Sequence, residues 1–385
     1  MSELDNFLSQ KGLFYKDIDY DFMPNLWKDI KHKFKLPPII HIVGTNGKGS
    51  TGRFLAYYLY KSGFKTGHFT SPHILEFRER FWIDNAYADD DALNTAHNFL
   101  LNKLDNKVKK QISYFEYATL LAIELFAKCD YIVLEAGLGG EFDATNVFDK
   151  LFSLVTPISF DHQGFLGWSI EEIARTKLNS ITTYALIAKQ KDEVYDVIKE
   201  MDIDTIFSTE LFNKDEISDI ENFISNNSFA TYLKENLYLS MSGVKKLGIK
   251  YDLKYLDEVK LFGRCHKIAE NITIDVGHNQ LAASALAQEF KGKKVVLIYN
   301  TYKDKDFHMI LEILKPIIKR VQILKIENER VVDKRELEKT LKNLEIKFSN
   351  FDKLNKKDEY LVFGSFSVVE QFLINYSKDH KVDYL

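Results

Sequence analysis

The stretch "HIVGTNGKGST", His41 to Thr51, reads as a shortened phosphate-binding loop. The familiar P-loop spaces two glycines widely ahead of Gly-Lys-[Ser/Thr]; here Gly44 and Gly47 lie close together and Gly49 separates Lys48 from Ser50. "PPIIHIVG", a β-branched run that predicts a buried strand, ends in this loop, and "STGRFLAYYLYKSG" follows with helical spacing that closes on Gly63. A glycine-rich turn between strand and helix lets backbone N–H groups approach phosphate oxygens, and the helix N-terminus adds partial positive charge. In that arrangement Gly44, Thr45, Asn46, Gly47, Lys48, Gly49, Ser50 and Thr51 hold ATP. Lys48 meets the β- and γ-phosphates, and Ser50 or Thr51 offers a hydroxyl to Mg2+. The competing reading is a tight βα turn with a solvent-exposed lysine, but few such turns concentrate so many ligand-capable groups.

Working outward, the 385-residue chain is 45% hydrophobic and 28% charged, enough for one large core and, at roughly 100–200 residues per domain, for two. Fifty-two Lys and Arg against 56 Asp and Glu leave a net charge of −4. No basic excess points to a nucleic-acid backbone or an acidic membrane, so small molecules are the expected partners. Cys129 and Cys265 stand far apart and form no redox or metal-ligand pair, which suits a reducing compartment. No apolar run reaches the roughly 20 residues of a membrane span, and "MSELDNFLSQ" lacks a basic start followed by an apolar stretch. A cytoplasmic monomer is expected.

Short β-branched runs alternate with helical patterns along the chain, which predicts βα units around mainly parallel sheets. "KTGHFTS", "YIVLEAG" and "LFSLVTPIS" read as further buried strands; "NITIDVGH", "KKVVLIYN", "RVQILKI" and "EYLVFGSF" repeat the rhythm, separated by helices near 281–290 and 307–319. The polar segment 190–228 followed by "LFGRCHK" places a boundary near residue 260. The expected fold class is α/β: a P-loop ATPase domain on a mainly parallel sheet, residues 1–260, then a smaller Rossmann-like domain, residues 261–385.

Three stretches add what phosphoryl transfer requires. "FTSPH" puts Ser71, "IVLEAGLGGEFDATN" puts Glu135, and "PISFDHQGFLG" puts Asp161 and His162 at strand ends. Ligands of open α/β sheets gather at the carboxyl ends of strands, so these side chains can converge. Mg2+ wants oxygen ligands around nucleotide phosphates, and Ser71 and Glu135 supply oxygen.

"GTNGKGST", "TSPH", "YFEY", "EAGLGGEFDATN", "DHQGFLG", Gly263-Arg264 and "DVGHN" occur in an order that resembles the folylpolyglutamate synthases of the Mur ligase superfamily, including the bifunctional bacterial dihydrofolate synthases, over roughly residues 17 to 366. The resemblance implies an ATP-dependent amide ligase in which a substrate carboxylate becomes an acyl phosphate and the amino group of L-glutamate displaces phosphate. It implies two magnesium ions: Ser50, Ser71 and Glu135 match ligands of the first, and His162 and Lys177 of the second. Lys177 in "IARTKLNSI" falls where related enzymes hold a lysine carbamylated by carbon dioxide. Lys48, His162 and Lys177 are thereby assigned to catalysis. Asn236, Arg264, Asp275 and His278 resemble nucleotide contacts, with Asn279 in the same wall. For the pterin, "DIDY", "YFEY" and "EFDATN" bring forward Ile18, Asp19, Tyr20, Phe115, Glu116, Phe142 and Asp143. Aromatic faces stack on a flat heterocycle, and carboxylates accept its N–H groups. Dihydropteroate and reduced folates are the implied acceptors.

The chain departs from the family pattern in places. Many relatives have Lys-Ala-Gly where this chain has "KLNS", Ala-His-Asn-Pro where it has "GHNQ", and Pro where it has Phe262. Two other classes fit parts of the sequence. A Mur-type ligase of a uridine-linked precursor would share the ATPase motifs, although its extra N-terminal domain does not fit ahead of Gly44. A nucleotide-dependent switch would need no pterin-facing residues.

Overall fold

The strand that leads into the phosphate loop, Ile39–Val43, is buried at all five positions, as expected of a strand covered on both faces of a parallel sheet. In the computed structural model, which describes residues 2–12, 19–380 and 382, this strand is β1 of a sheet with β2 (Thr66–Phe69), β3 (Phe81–Ile83), β4 (Ala86–Tyr87), β5 (Tyr131–Glu135), β6 (Phe152–Val155), β7 (Ala185–Ile187) and β8 (Thr205–Phe207). The order is β4-β3-β2-β5-β1-β6-β7-β8. Pairing is parallel from β2 to β8, while β3 and β4 add an antiparallel edge. The loops after β1, β2, β5 and β6 therefore leave the same edge of the sheet. On one face the helix Tyr114–Leu125 packs with Phe69, Ile132 and Leu134. On the other, Ile173 and Leu178 of the helix Ile170–Leu178 and Val194 and Val197 of the helix Asp192–Glu200 meet Val43, Val155 and Ile187.

The second sheet contains β9 (His266–Ala269), β10 (Ile272–Ile274), β11 (Val295–Tyr299), β12 (Ile318–Ile323), β13 (Phe348–Asn350) and β14 (Tyr360–Phe363), in the order β13-β12-β11-β14-β10-β9. Only β9 runs antiparallel to its neighbour among these described strands.

The chain divides into two units: Met1–Phe223 with Lys234–Val259, and Ile224–Leu233 with Lys260–Leu385. A single cut at 260/261 therefore misses Ile224–Leu233. That segment joins the second unit because Tyr232 packs on its core and donates a hydrogen bond to Asp275 Oδ2 at 2.7 Å. The helix expected over 307–319 is also shorter. It covers Phe307–Leu314, tightens through Lys315–Ile317, and gives way to β12 at Ile318. Pro316 has no N–H for the helical ladder and clashes with the preceding turn. The polar segment after residue 190 is not a plain exit from the first domain. Its apolar residues Val194, Val197 and Ile198 recur at helical spacing, and it supplies two helices and the edge strand β8.

Candidate active site

The phosphate loop is shaped from below by the strand beside it. Thr45 N and Asn46 N donate to Pro157 O at 3.1 and 3.4 Å, while Thr45 Oγ1 donates to Ser159 O and accepts from Ser159 N, each at 3.0 Å. These bonds tie the loop after β1 to the loop after β6. Gly47 turns the chain into the helix Lys48–Lys61 with φ of 88°, in the left-handed region. A side chain there would also meet Asn236, whose Nδ2 lies 2.0 Å from an ideal Cβ. Glycine is thus required twice over, by dihedral and by space.

Asn236 comes from the helix Leu233–Lys246, and its Nδ2 donates to Gly47 O at 3.4 Å and Thr51 Oγ1 at 3.3 Å. Asn236 therefore lies directly against the loop. Ser50 Oγ is buried and has no hydrogen-bond partner among the described residues.

Lys48 folds back over its own loop. Its Nζ donates to the carbonyls of Gly44 and Thr45 at 3.3 Å each and stands 3.9 Å from Glu135 Oε1. Glu135, at the end of β5, is 3% exposed. Its other oxygen accepts from Thr70 Oγ1 and, at 3.3 Å, from Ser71 N. Loop lysine, carboxylate and the Ser71 turn therefore come together. Thr70 escaped the sequence reading, although it directly precedes Ser71.

Lys177 reaches the same loop from the other side. It is 4% exposed, and its Nζ donates to Gly44 O at 2.9 Å. Burial, with the Lys48 charge nearby, lowers its pKa from the ordinary lysine value to about 7. At the other end of the Lys177 helix Glu172 Oε2 accepts from Trp168 N at 2.6 Å and Ser169 N at 3.2 Å, capping it. Leu178 ends the helix buried among Val43, Ala136 and Ile173. His162 sits three residues beyond Ser159 in a left-handed turn with φ of 51°, partly exposed, its Nε2 3.8 Å from Asp161 Oδ2. Among the described residues no group of three or more His, Cys, Asp or Glu side chains forms a metal cage by itself. Mg2+ commonly relies on one or two carboxylates plus substrate phosphates, so this donor set suits it.

The expected pterin residues divide. Tyr20 and Phe142 are 47% and 52% exposed, with ring centroids 4.4 Å apart, an aromatic face open to solvent. Phe115 is half-buried, its ring 5.9 Å from that of Phe69. Asp19 is exposed and accepts from Asp21 N at 3.2 Å. Two carboxylates expected beside a heterocycle face inward instead. Glu116 accepts from Ser113 N at 2.9 Å in a capping box, and burial raises its pKa. Asp143 accepts from Leu138 N at 2.8 Å, Thr145 N at 2.9 Å and Thr145 Oγ1 at 2.6 Å; burial raises its pKa too, against those bonds. The Asp-Ala-Thr order was a readable signal of such a local turn. Ile18 lies outside the described residues.

In the second unit Asp275 is buried and accepts from Tyr232 OH, Cys265 N at 2.8 Å and Gly277 N at 2.7 Å. Arg264 carries its guanidinium 5.5 Å from the Phe366 ring, and His278 lies 6.4 Å from the same ring. Asn279 caps the helix Gln280–Glu289 by accepting from Ala282 N at 3.0 Å. Arg264 and His278 thus share a surface that Asp275 and Asn279 hold in shape. Both cysteines are free. Among the described residues no helix is long and apolar enough to cross a membrane.

The chain matches no family model. It is similar to the crystal structure of Helicobacter pylori folylpolyglutamate synthetase, with 39% identity, 97% of this chain and 98% of that one covered, and a TM-score of 0.78. The fold is shared with Escherichia coli FolC in complex with DHPP and ADP, at 23% identity, 99% coverage of both chains and a TM-score of 0.78. The dihydrofolate synthase/folylpolyglutamate synthase of Buchnera aphidicola subsp. Acyrthosiphon pisum is 32% identical over 382 residues, covering 87% of this chain and 88% of that protein. On that agreement of sequence along nearly the whole length, the chain belongs to the dihydrofolate synthase/folylpolyglutamate synthase family.

Proposed function

We propose that this protein is an ATP-dependent acid–amino-acid ligase that adds L-glutamate to dihydropteroate and to reduced folates through an acyl phosphate, releasing ADP and phosphate. The observation that carries the reading is the convergence on one loop of Lys48, Glu135, Lys177 and the unpartnered Ser50 hydroxyl. A carboxylate oxygen of the acceptor attacks the γ-phosphorus, and the β–γ bridging oxygen leaves with ADP. The amine of glutamate then attacks the acyl carbon, and phosphate departs with the oxygen that the carboxylate supplied. Two anions must approach during the first step, so fixed positive charge is the main requirement and no nucleophilic side chain is needed. Lys48 supplies that charge from the first turn of the helix that follows the loop, where the helix N-terminus adds partial positive charge. Family membership and a related FolC that binds DHPP and ADP support the choice of acceptor and nucleotide.

The residues fit magnesium. Ser50, Ser71 and Glu135 would hold one ion; His162 and a carbamate on Lys177 would hold a second. Bound Mg2+ supplies Lewis-acid neutralisation of phosphate charge. The buried Lys177 amine, with its pKa lowered to about 7, has the neutral form whose nitrogen lone pair would attack the carbon of carbon dioxide, a proton leaving as the carbamate forms. Asn236 is the nucleotide-side residue with the firmest structural support. Arg264, Asp275 and His278 are assigned to the nucleotide on the family pattern. Tyr20, Phe115 and Phe142 offer the aromatic face for the pterin, with Asp19 as an acceptor and Glu116 and Asp143 shaping the turns around it. A cytoplasmic, monomeric enzyme completes the reading.

The test is direct. Purified protein is incubated with ATP, Mg2+, glutamate and either dihydropteroate or a reduced folate, and the products are weighed. The expected product is heavier than the acceptor by one or more glutamyl residues, with ADP formed in step. ATP hydrolysis that ignores acceptor and glutamate, with no glutamyl amide, would instead indicate a nucleotide switch.

A further inference from the structure

Lys177 is the second-last residue of its helix, so whatever fixes the helix end fixes the amine that meets Gly44. That end is held by the loop carrying Phe142. Glu141 N donates to Thr176 O at 2.8 Å. Gly140 packs so closely that an ideal Cβ would lie 2.7 Å from Lys177 O and 2.9 Å from Lys177 Cα. Asn146 Nδ2 donates to Glu141 O at 2.7 Å, and buried Lys150 donates both to Asn146 Oδ1 and, at 2.6 Å, to Ser180 O. One side-chain link closes the arrangement from outside: Asn179 Nδ2 donates to Glu141 Oε2 at 2.8 Å.

We propose that Glu141 and Asn179 form a positioning pair for Lys177, so that the amine keeps its place at Gly44 through a bond between the helix end and the Phe142 loop. The bond lies at the protein surface, so it contributes little to global stability, yet partners that orient a functional group from behind often cost about 10- to 100-fold in activity when removed. The proposal rests on the ligase reading, in which Lys177 acts at the phosphate loop.

The experiment is a mutant cycle on the full chain. Asn179→Ala and Glu141→Ala should each lower kcat about tenfold or more while KM for ATP stays within about twofold. Glu141→Gln, which still accepts from Asn179, should keep most of the rate. In a Lys177→Ala background, adding Asn179→Ala should change kcat no further, because the pair acts only through the missing amine. Thermal melts accompany each variant, and a purely structural bond would lower kcat equally in both backgrounds. Full kcat in Asn179→Ala, or an equal loss in both backgrounds, overturns the proposal. Failure of the ligase reading shows separately, as a wild-type protein that makes no glutamyl amide. The pair is then judged by the ATP hydrolysis rate of the same variants, with the same expected and contradicting patterns.

Discussion

The loop after β1 and the loop after β5 both leave the carboxyl edge of one sheet, and both are rich in glycine and polar residues, yet they keep those groups differently. In the first, Lys48 rests on two long carbonyl contacts and a 3.9 Å ion pair, and Ser50 Oγ is buried without a partner. In the second, Asp143 closes a turn with short bonds to Leu138 and Thr145, and Asn146 and Glu141 are tied into the Lys177 helix end. The first loop leaves polar capacity for a ligand; the second uses it to hold its shape and turns Phe142 outward. A buried hydroxyl with no protein partner among the described residues keeps its donor and acceptor capacity for a ligand or solvent.

The largest effect should follow Lys48→Ala. Turnover should fall about 10²- to 10³-fold through lost charge at the phosphates, while the melting temperature shifts little, because Glu135 keeps its bonds from Thr70 and Ser71. Steady-state kinetics beside a thermal melt decides it, and near wild-type turnover would erase the contrast between the loops.

Next comes Lys177. Its pKa lies near about 7, below the ordinary lysine value, so the ammonium dominates only below about pH 7 and the neutral amine above. If the carbamate forms, kcat should rise with pH through about 7, and Lys177→Ala should lose about 10- to 100-fold, partly restored by a short-chain carboxylate. The same burial sets a stability trend. Between about pH 7 and the ordinary lysine value the unfolded chain binds the proton that the folded one does not, so stability should rise with pH there. Denaturant titrations of wild type and Lys177→Met across that window would show the slope and its loss.

Ser50→Ala sharpens the contrast from the other side. With no protein partner to lose, the variant should be as stable as wild type or slightly more so, while KM for magnesium–ATP rises about tenfold. The smallest effect is expected in the second loop's neighbourhood. Tyr20→Ala removes half of an exposed ring pair, which should raise KM for the pterin acceptor by about 2- to 10-fold and leave kcat nearly unchanged. An equal fall in kcat would mean that the pair shapes the transition state.

Much of this was legible in the sequence, for reasons that particular residues make plain. The strands of the parallel core announce themselves as continuous β-branched runs, and the phosphate loop announces itself between one of them and a helix. The hairpin of β3 and β4 did not, because its strands span three and two residues and its turn, Asp84-Asn85 with φ of 46° and 75°, lies inside an aromatic run. Residue types at the site were readable; their facing was not. Glu135 meets Lys48 across 87 residues of chain and Asn179 meets Glu141 across 38, and no local pattern predicts such partners. Asp143 shows the opposite case: a carboxylate whose type suits a heterocycle but whose nearest donors belong to its own turn.

The central claim is that a carboxylate of the acceptor takes the γ-phosphoryl group of ATP before glutamate displaces phosphate, and oxygen labelling tests it most directly. Dihydropteroate carrying oxygen-18 in its carboxyl group is turned over with ATP, Mg2+ and glutamate, and the released phosphate is weighed. The account predicts one labelled oxygen in the phosphate for each glutamyl amide formed; unlabelled phosphate accompanying labelled amide would contradict it.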